Sequence, residues 1–365
     1  MMEKMYLSNF PGVSPDLLKP GSERRLKDFD FKRVVFYPYG RNAAYEIGRL
    51  LKLSSKDEVL LPGFLCNTVS RPFSLFTKKV RFFGVKKNLS IDFKDLETKI
   101  SSRTKALVVI HYFGFPQNME RIRRICKKHG IYLIEDCAQS LFSRYRGKLL
   151  GSFGDMAFFS LRKTLPLPEG AALVINNTEF PLPENTKRPN KKQALFITQK
   201  LLEFVKTWYY LKIGVQKPFD AWKKMKERER KIYHDPNRFY EMSRISRNIM
   251  NNVNSSDVLR KRRYNFNYVL KNLDDKVRPI FNKLPAGVCP LGFPVLAEKR
   301  DALRKDLLRN GIETLIHWNK LIPRDVKRLY KDIGYIAGHT ITLPIHQDLK
   351  KKHMEYLVEK INQLI

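Results

Sequence analysis

Asp136 and Lys163 are the two residues whose types and setting best suit covalent chemistry. Both lie in the stretch YLIEDCAQSLFSRYRGKLLGSFGDMAFFSLRKTLPLPEGAALVIN, residues 132–176. An apolar run closes on two carboxylates, Glu135 and Asp136. A loop and a second apolar run follow, then Lys163, then the acid–glycine turn Glu169–Gly170 into a third run. If the apolar runs are buried strands, their ends bring an acid and an amine to one edge of a sheet. Open α/β sheets bind ligands at the carboxyl ends of their strands, on side chains fixed by the strands behind them. Such a pair suits a heterocyclic aldehyde: the amine condenses with it, and the acid keeps a ring nitrogen protonated so that the ring draws electrons from a substrate carbon. Taken singly, Asp136 reads equally as a capping residue and Lys163 as a solvated loop charge.

What sets the pair apart is its surroundings. EDCAQS at Glu135–Ser140, the GSFGD turn at Gly151–Asp155, the FFS strand end at Ser160, and Lys163 six residues before Glu169 follow one another in an order that resembles the core of the DegT and StrS sugar aminotransferases. That group shares the aspartate-aminotransferase fold, fold type I, and uses pyridoxal 5′-phosphate (PLP). The resemblance implies that Lys163 forms the Schiff base and shuttles the proton as general acid and base. It implies that Asp136 faces the pyridine nitrogen, that Gln139 lies by the ring, and that the Ser160 hydroxyl reaches the phosphate. FSLRKTLP is two residues shorter between serine and lysine than is common in the group. GRNAA, opening at Gly40, is similar to the group's phosphate-holding GTSA turn, with Arg41 and Asn42 in place of the hydroxyl residues. A glycine turn opening a helix is a natural anion site, and equally an ordinary helix start. In PGFLCNT, Cys66 stands where relatives stack an aromatic ring on the pyridine, with Phe64 nearby. HYFG at His111–Gly114 is like the group's HLYG, and a histidine hydrogen-bonded within a loop is the plainer reading of His111.

The elements that must position these residues alternate. Strands are expected at Val34–Tyr37, Glu58–Leu61, Val80–Phe83, Ala106–Tyr112 and Ile131–Ile134. Helices are expected after Gly40 and around Thr68–Phe76, Phe93–Ile100 and Met119–His129. This βα order predicts an α/β fold with a mostly parallel sheet covered by helices on both faces. Residues 1–32 read as an irregular arm. Residues 33–250 read as the large PLP-binding domain, and 251–365 as a smaller C-terminal α/β domain. In the latter, GFPVLAEKRDALRKDLLRNGIETLIHW predicts strand, helix and strand, and TLPIHQDL resembles the group's closing SLPIHPEL strand before a terminal helix. The segment of about 181–235 reads as a helical, basic and aromatic insertion that includes the run KKMKERERK. A helix packed on the domain with a solvated lysine face and a contact with an anionic membrane surface are both compatible with it. The group's NYRM segment, which in relatives reaches the partner subunit, is best matched by FYEM at Phe239–Met242. The asparagine and arginine are absent there, with Arg238 and Arg244 as basic neighbours.

Among 365 residues, 70 Lys and Arg against 36 Asp and Glu give a formal charge of +34, which favours phosphate-rich partners. No recognition module speaks for nucleic acid. Four cysteines, Cys66, Cys126, Cys137 and Cys289, show neither a CxxC pair nor metal-ligand grouping, as expected of reduced thiols in a cytoplasmic protein. No apolar run is long enough to cross a bilayer. The expected protein is a homodimeric, PLP-dependent aminotransferase. It would move an amino group, with glutamate as donor, onto a nucleotide-linked keto sugar for cell-envelope polysaccharide. Lys163 at the Schiff-base position argues against the dehydratase branch, which carries histidine there. The alternative is a binding or scaffold protein on the same fold, located in the cytoplasm or peripherally at the inner membrane surface, with the basic insertion as its working face.

Overall fold

The computed structural model describes residues 5–20, 26, 28–184, 187–215, 240–318 and 322–365. The first half alternates strand and helix as the sequence patterning requires. β1 (Val34–Tyr37) leads to α1 (Gly40–Leu50), β2 (Glu58–Pro62) to α2 (Asn67–Ser74), and β3 (Val80–Phe83) to α3 (Phe93–Lys99). β4 (Thr104–Ile110) leads to α4 (Met119–His129), and β5 (Tyr132–Asp136) to a hairpin of β6 (Arg144–Tyr145) and β7 (Lys148–Leu149). β8 (Met156–Phe159) and β9 (Ala171–Ile175) complete a seven-stranded sheet in the order β1-β9-β8-β5-β4-β2-β3. Of these strands only β9 runs against the rest.

Both faces of this sheet are covered. Val59, Leu61, Val108 and Ile110 enter one apolar cluster, whereas Leu60, Leu107 and Val109 enter another. Alternate side chains of one strand point to opposite faces, so the split means that each face has its own buried layer. Continuous burial along β2, β8 and β9 has the same origin. α4 shows how locally the helices are specified. Asn118 accepts the Arg121 N–H at 3.1 Å at its start, and Gly130 at φ 63° ends it in the left-handed region.

Beyond β9 come α5 (Lys191–Ile213), α6 (Arg244–Asn252) and α7 (Ser255–Asn272), then a three-stranded antiparallel sheet, β10 (Arg278–Pro279), β11 (Phe293–Leu296) and β12 (Thr340–Leu343). α8 (Arg300–Arg309), α9 (Arg324–Leu329), α10 (Lys331–His339) and α11 (Lys351–Leu364) surround it. The helix expected in the insertion is α5, while KKMKERERK, Arg238 and Phe239 lie outside the described residues.

One expectation is corrected. ETLIHW is not a strand: only Leu315 pairs, through a two-way backbone exchange with Thr342 at 3.1 and 2.8 Å. Its neighbours are engaged elsewhere. Glu313 accepts the Tyr6 hydroxyl at 2.9 Å and the Asn9 N–H at 3.1 Å, and Trp318 at φ 58° turns the chain away. The arm, although irregular, is anchored over residues 5–20. Tyr6 and Leu7 are buried, Leu7 bridges to Ile312, and the Gly12 N–H donates to Asp348 at 2.7 Å. Apolar side chains in the arm and carboxylates waiting for donors on the C-terminal part explain the docking.

Arg262 fastens α7 to the loop that carries Lys163. It is 1% exposed, and its guanidinium donates to the Gln347 amide oxygen at 2.8 Å and to the carbonyls of Pro290, Leu291 and Thr164 at 3.2, 2.9 and 3.1 Å. Burial holds its pKa below the usual arginine range, which only acceptors on every side make tolerable. Arg262→Met strands these acceptors in the interior. We expect it to lower unfolding free energy by at least about 3 kcal/mol, read from the denaturant midpoint.

Candidate active site

The ends of β4, β5 and β8 and the start of α1 meet at the carboxyl edge of the large sheet. Asp136 is the last residue of β5 and pairs in register with Ile110 of β4 and Phe158 of β8. Ser160 follows β8, and Lys163 ends a single 3-10 turn, Leu161–Lys163. Gly40 opens α1 directly above, where a β-carbon would lie 3.6 Å from the Phe158 ring and 3.8 Å from the Phe159 carbonyl. The sheet therefore brings together Asp136, Ser160, Lys163 and the Gly40–Asn42 turn.

Asp136 and Lys163 feel each other without touching. Burial pushes the Asp136 carboxyl up to about 6, and the Lys163 charge is the largest influence pulling it back. Burial likewise lowers Lys163, with Asp136 the largest opposing influence. No ion pair within 4.0 Å joins them. Lys163 makes no hydrogen bond to a described residue, whereas Asp136 accepts the Ala138 N–H at 2.9 Å. The acid and the amine thus lie at one strand edge without pairing directly.

The same edge holds further polar atoms without hydrogen-bond partners among the described residues. Gln139 accepts the Phe113 N–H at 2.7 Å through Oε1, and its Nε2, buried, has no partner among the described residues. The Ser160 hydroxyl also makes no hydrogen bond to a described residue. At the start of α1 the N-cap residue Tyr39 offers no side-chain cap to the first-turn N–H groups. Its ring is instead faced by three cations, with Arg41 4.3 Å, Arg162 5.3 Å and Lys200 5.6 Å from the ring centre. Asn42 is buried in the same turn. A stranded amide donor near the acid, a free amine, and a cationic helix start fit a flat heterocycle bearing an aldehyde and a phosphate.

Other expected neighbours are engaged elsewhere. Phe64 is fully buried against Trp318 at 5.0 Å and Tyr112 at 5.6 Å between ring centres, so it packs in the core. Cys66 is half-buried at the N-cap of α2, close enough to influence Lys163. His111 is fully committed: Nδ1 accepts the Gln117 N–H at 3.2 Å, which puts the proton on Nε2, and that N–H donates to Glu135 at 3.0 Å. Glu135, His111 and Cys137 lie close together, but the acid and the histidine already serve as hydrogen-bond anchors. Of the FYEM segment, Tyr240 and Met242 are buried, and Ser243 follows directly. The Ser243 N–H and hydroxyl donate to Glu169 at 2.9 and 2.6 Å, ahead of Gly170, where the chain enters β9.

Three features are not among the residues singled out from the sequence for roles. Glu135 accepts the N–H groups of Gly151, Phe153 and Gly154 at 2.9, 2.7 and 2.7 Å, so it ties down the turn leading into β8. The doubled acid of IED was its only visible sign. Thr164, next to Lys163, is fixed by Arg262 and Gln347, which lie far along the chain. Lys200 belongs to the basic insertion. Glu135→Gln places an amide N–H where the backbone presents donors, so a loss of about 2–4 kcal/mol is expected, measured as a fall in thermal midpoint.

Residues 43–182 match the model of the DegT/DnrJ/EryC1/StrS aminotransferase family. The chain is 35% identical over 131 residues to the GDP-perosamine synthase of Escherichia coli O157:H7, a match that spans 35% of this chain and 36% of that protein. It thus spans about a third of the length of that curated relative. Among solved structures, the aminotransferase TlmJ from Streptoalloteichus hindustanus superposes with a TM-score of 0.71 at 19% identity, covering 99% of this chain and 98% of that one. A putative sugar aminotransferase of Streptococcus pneumoniae in its PLP form gives 0.67 at 17% identity, covering 98% and 93%. These likenesses show the PLP-aminotransferase fold, with its mostly parallel central sheet between helices. Residues 43–182, which carry the strand ends described above, are thus the part of the chain that is similar to the DegT/DnrJ/EryC1/StrS aminotransferase family.

Proposed function

We propose that this chain is a PLP-dependent aminotransferase that moves an amino group from an amino acid, glutamate in the first instance, onto a keto sugar linked to a nucleoside diphosphate. The reading is carried by one observation: Asp136 at the end of β5 and Lys163 in the turn after the neighbouring β8 stand at one strand edge with no ion pair between them. Bound there, PLP would supply an aldehyde that takes up amines and a protonated ring that draws electrons from the carbon bearing them.

The chain's own residues have these roles. Asp136 holds the proton on the ring nitrogen, and its burial is relieved by that positive charge. Gln139 Nε2 donates to the ring's edge. Gly40, Arg41, Asn42 and Ser160 hold the phosphate, with guanidinium groups taking over from hydroxyls. Lys163, lowered toward the neutral amine by burial, takes a proton from the substrate carbon and returns it on the far side of the transfer. The division into an arm at 1–32, a cofactor domain at 33–250 and a small domain at 251–365, the homodimer, the cytoplasmic setting and a role in cell-envelope polysaccharide all belong to this proposal.

Full-length protein incubated with PLP should develop absorbance beyond that of free cofactor, and glutamate should bleach it. A panel of nucleotide-linked keto sugars should then restore the band, and the sugar that does so names the acceptor. Protein that takes up no PLP would reject the enzymatic reading.

A further inference from the structure

We infer that the outward face of α5 docks on the headgroup surface of an anionic lipid bilayer. α5 is set firmly at both ends. Asn190 and Gln193 form a reciprocal capping box, and Gly214 at φ 75° terminates the helix. Its 23 residues span about 35 Å. One side belongs to the protein, with Phe196, Ile197, Phe204 and Leu211 buried. The opposite side is also apolar: Leu195, Leu202, Tyr209 and Ile213 are 61%, 53%, 54% and 47% exposed. Their spacing of seven, seven and four keeps them in a single stripe. With Val215 they make five of the twelve large hydrophobic side chains exposed among the described residues, all within one short segment. Such concentration marks a contact surface, because single exposed hydrophobics scattered over a protein carry no such meaning.

Charge selects the partner. α5 holds five lysines and one glutamate. Lys191, Lys192, Lys206 and Lys212 are exposed, while the sole acid, Glu203, is buried and paired with Lys206 at 3.1 Å. A two-fold contact between copies would set this cationic face against itself and bring like charges together. A nucleic acid would use the lysines but leave four apolar side chains with nothing to cover them. Anionic headgroups satisfy both, since lysines meet phosphates while leucine, isoleucine and tyrosine enter the acyl boundary. No helix among the described residues is long and apolar enough to cross a membrane, so the contact is one of surface.

Sedimentation of the full-length protein with vesicles of equal parts phosphatidylglycerol and phosphatidylcholine, against pure phosphatidylcholine, tests the inference. Binding to the anionic vesicles only is expected. Leu202→Glu with Tyr209→Glu should weaken it at least about tenfold, and Lys206→Gln with Lys212→Gln should weaken it as well. Unchanged helix content and melting would show the fold intact. If the glutamates depress melting, Leu202→Ser with Tyr209→Ser carries the same test. Three results would overturn the inference: no binding to anionic vesicles, equal binding by the stripe variants, or a fall in the wild-type oligomeric mass on substituting the stripe, which would make it a contact between copies. The readout needs neither cofactor nor substrate, so its outcome is independent of that of the proposed enzymatic activity.

Discussion

Lys163→Ala is expected to abolish amino transfer, with a loss of at least about 10⁴-fold in turnover, and to remove the visible absorbance of lysine-linked cofactor. The size follows from two tasks falling on one nitrogen. Lys163 is the amine that ends the 3-10 turn after β8, at the same strand edge as Asp136 and without an ion pair to it, and the proposed function asks it both to join the cofactor and to carry the proton. Stability should move the other way or stay level. Burial disfavours the charged amine and no hydrogen bond to a described residue would be lost, which offsets the loss to Asp136 of the positive charge that relieves its own burial. Cofactor-free Lys163→Ala should therefore melt no lower than the wild type. A small primary amine added to the buffer should restore a fraction of proton transfer, which a merely unfolded variant could not do. An inactive variant that keeps the full visible band would remove Lys163 from the covalent role.

The parts of this site that could be read in the sequence are those fixed by local patterning. Val34–Tyr37, Val80–Phe83 and Met119–His129 stand where the apolar periodicity puts them. Asp136 and Lys163 close runs whose burial could be foreseen, and strand ends in a parallel sheet share an edge. What could not be read depends on contacts between distant segments. Lys200 faces Tyr39 only because α5 returns across the start of α1. Thr164 is held by Arg262 and Gln347 from two later elements. ETLIHW has strand composition, but Glu313 is claimed by Tyr6 and Asn9 of the arm, a competition invisible to any local rule. Phe64, near Cys66 in the sequence, is enclosed by Trp318 and Tyr112, and only the tertiary packing shows it. Chemistry-bearing strand ends are thus legible, and the residues that steady them are not.

Asp136→Asn should separate activity from stability, because the wild-type acid is costly where it sits. The substitution keeps the shape and the oxygen that accepts the Ala138 N–H, but it cannot hold a proton on the ring nitrogen as an anion does. Turnover should fall roughly a hundred- to a thousandfold, the usual cost of losing one preorganised electrostatic partner. In the cofactor-free protein the sign reverses. The Asp136 carboxyl is pushed by burial up to about 6, against 3.8 for an ordinary aspartate. Between those values the folded chain binds more proton than the unfolded one. Asp136 therefore makes stability fall as pH rises from about 4 to about 6, and the penalty persists at neutral pH. Asn carries no charge and removes that slope. Lys163 loses the negative charge that offsets its own burial, which trims the gain to about 1–2 kcal/mol at pH 7. Denaturant melts of cofactor-free wild type and Asp136→Asn at pH 4.5 and pH 7.5 would show it: the two should converge at the lower pH and the variant should lead at the higher. PLP uptake by the wild type should also weaken as pH drops through about 6, where the acid takes up its own proton. A variant that is less stable at pH 7.5, or that turns over at the wild-type rate, would mean that Asp136 does not face the ring nitrogen.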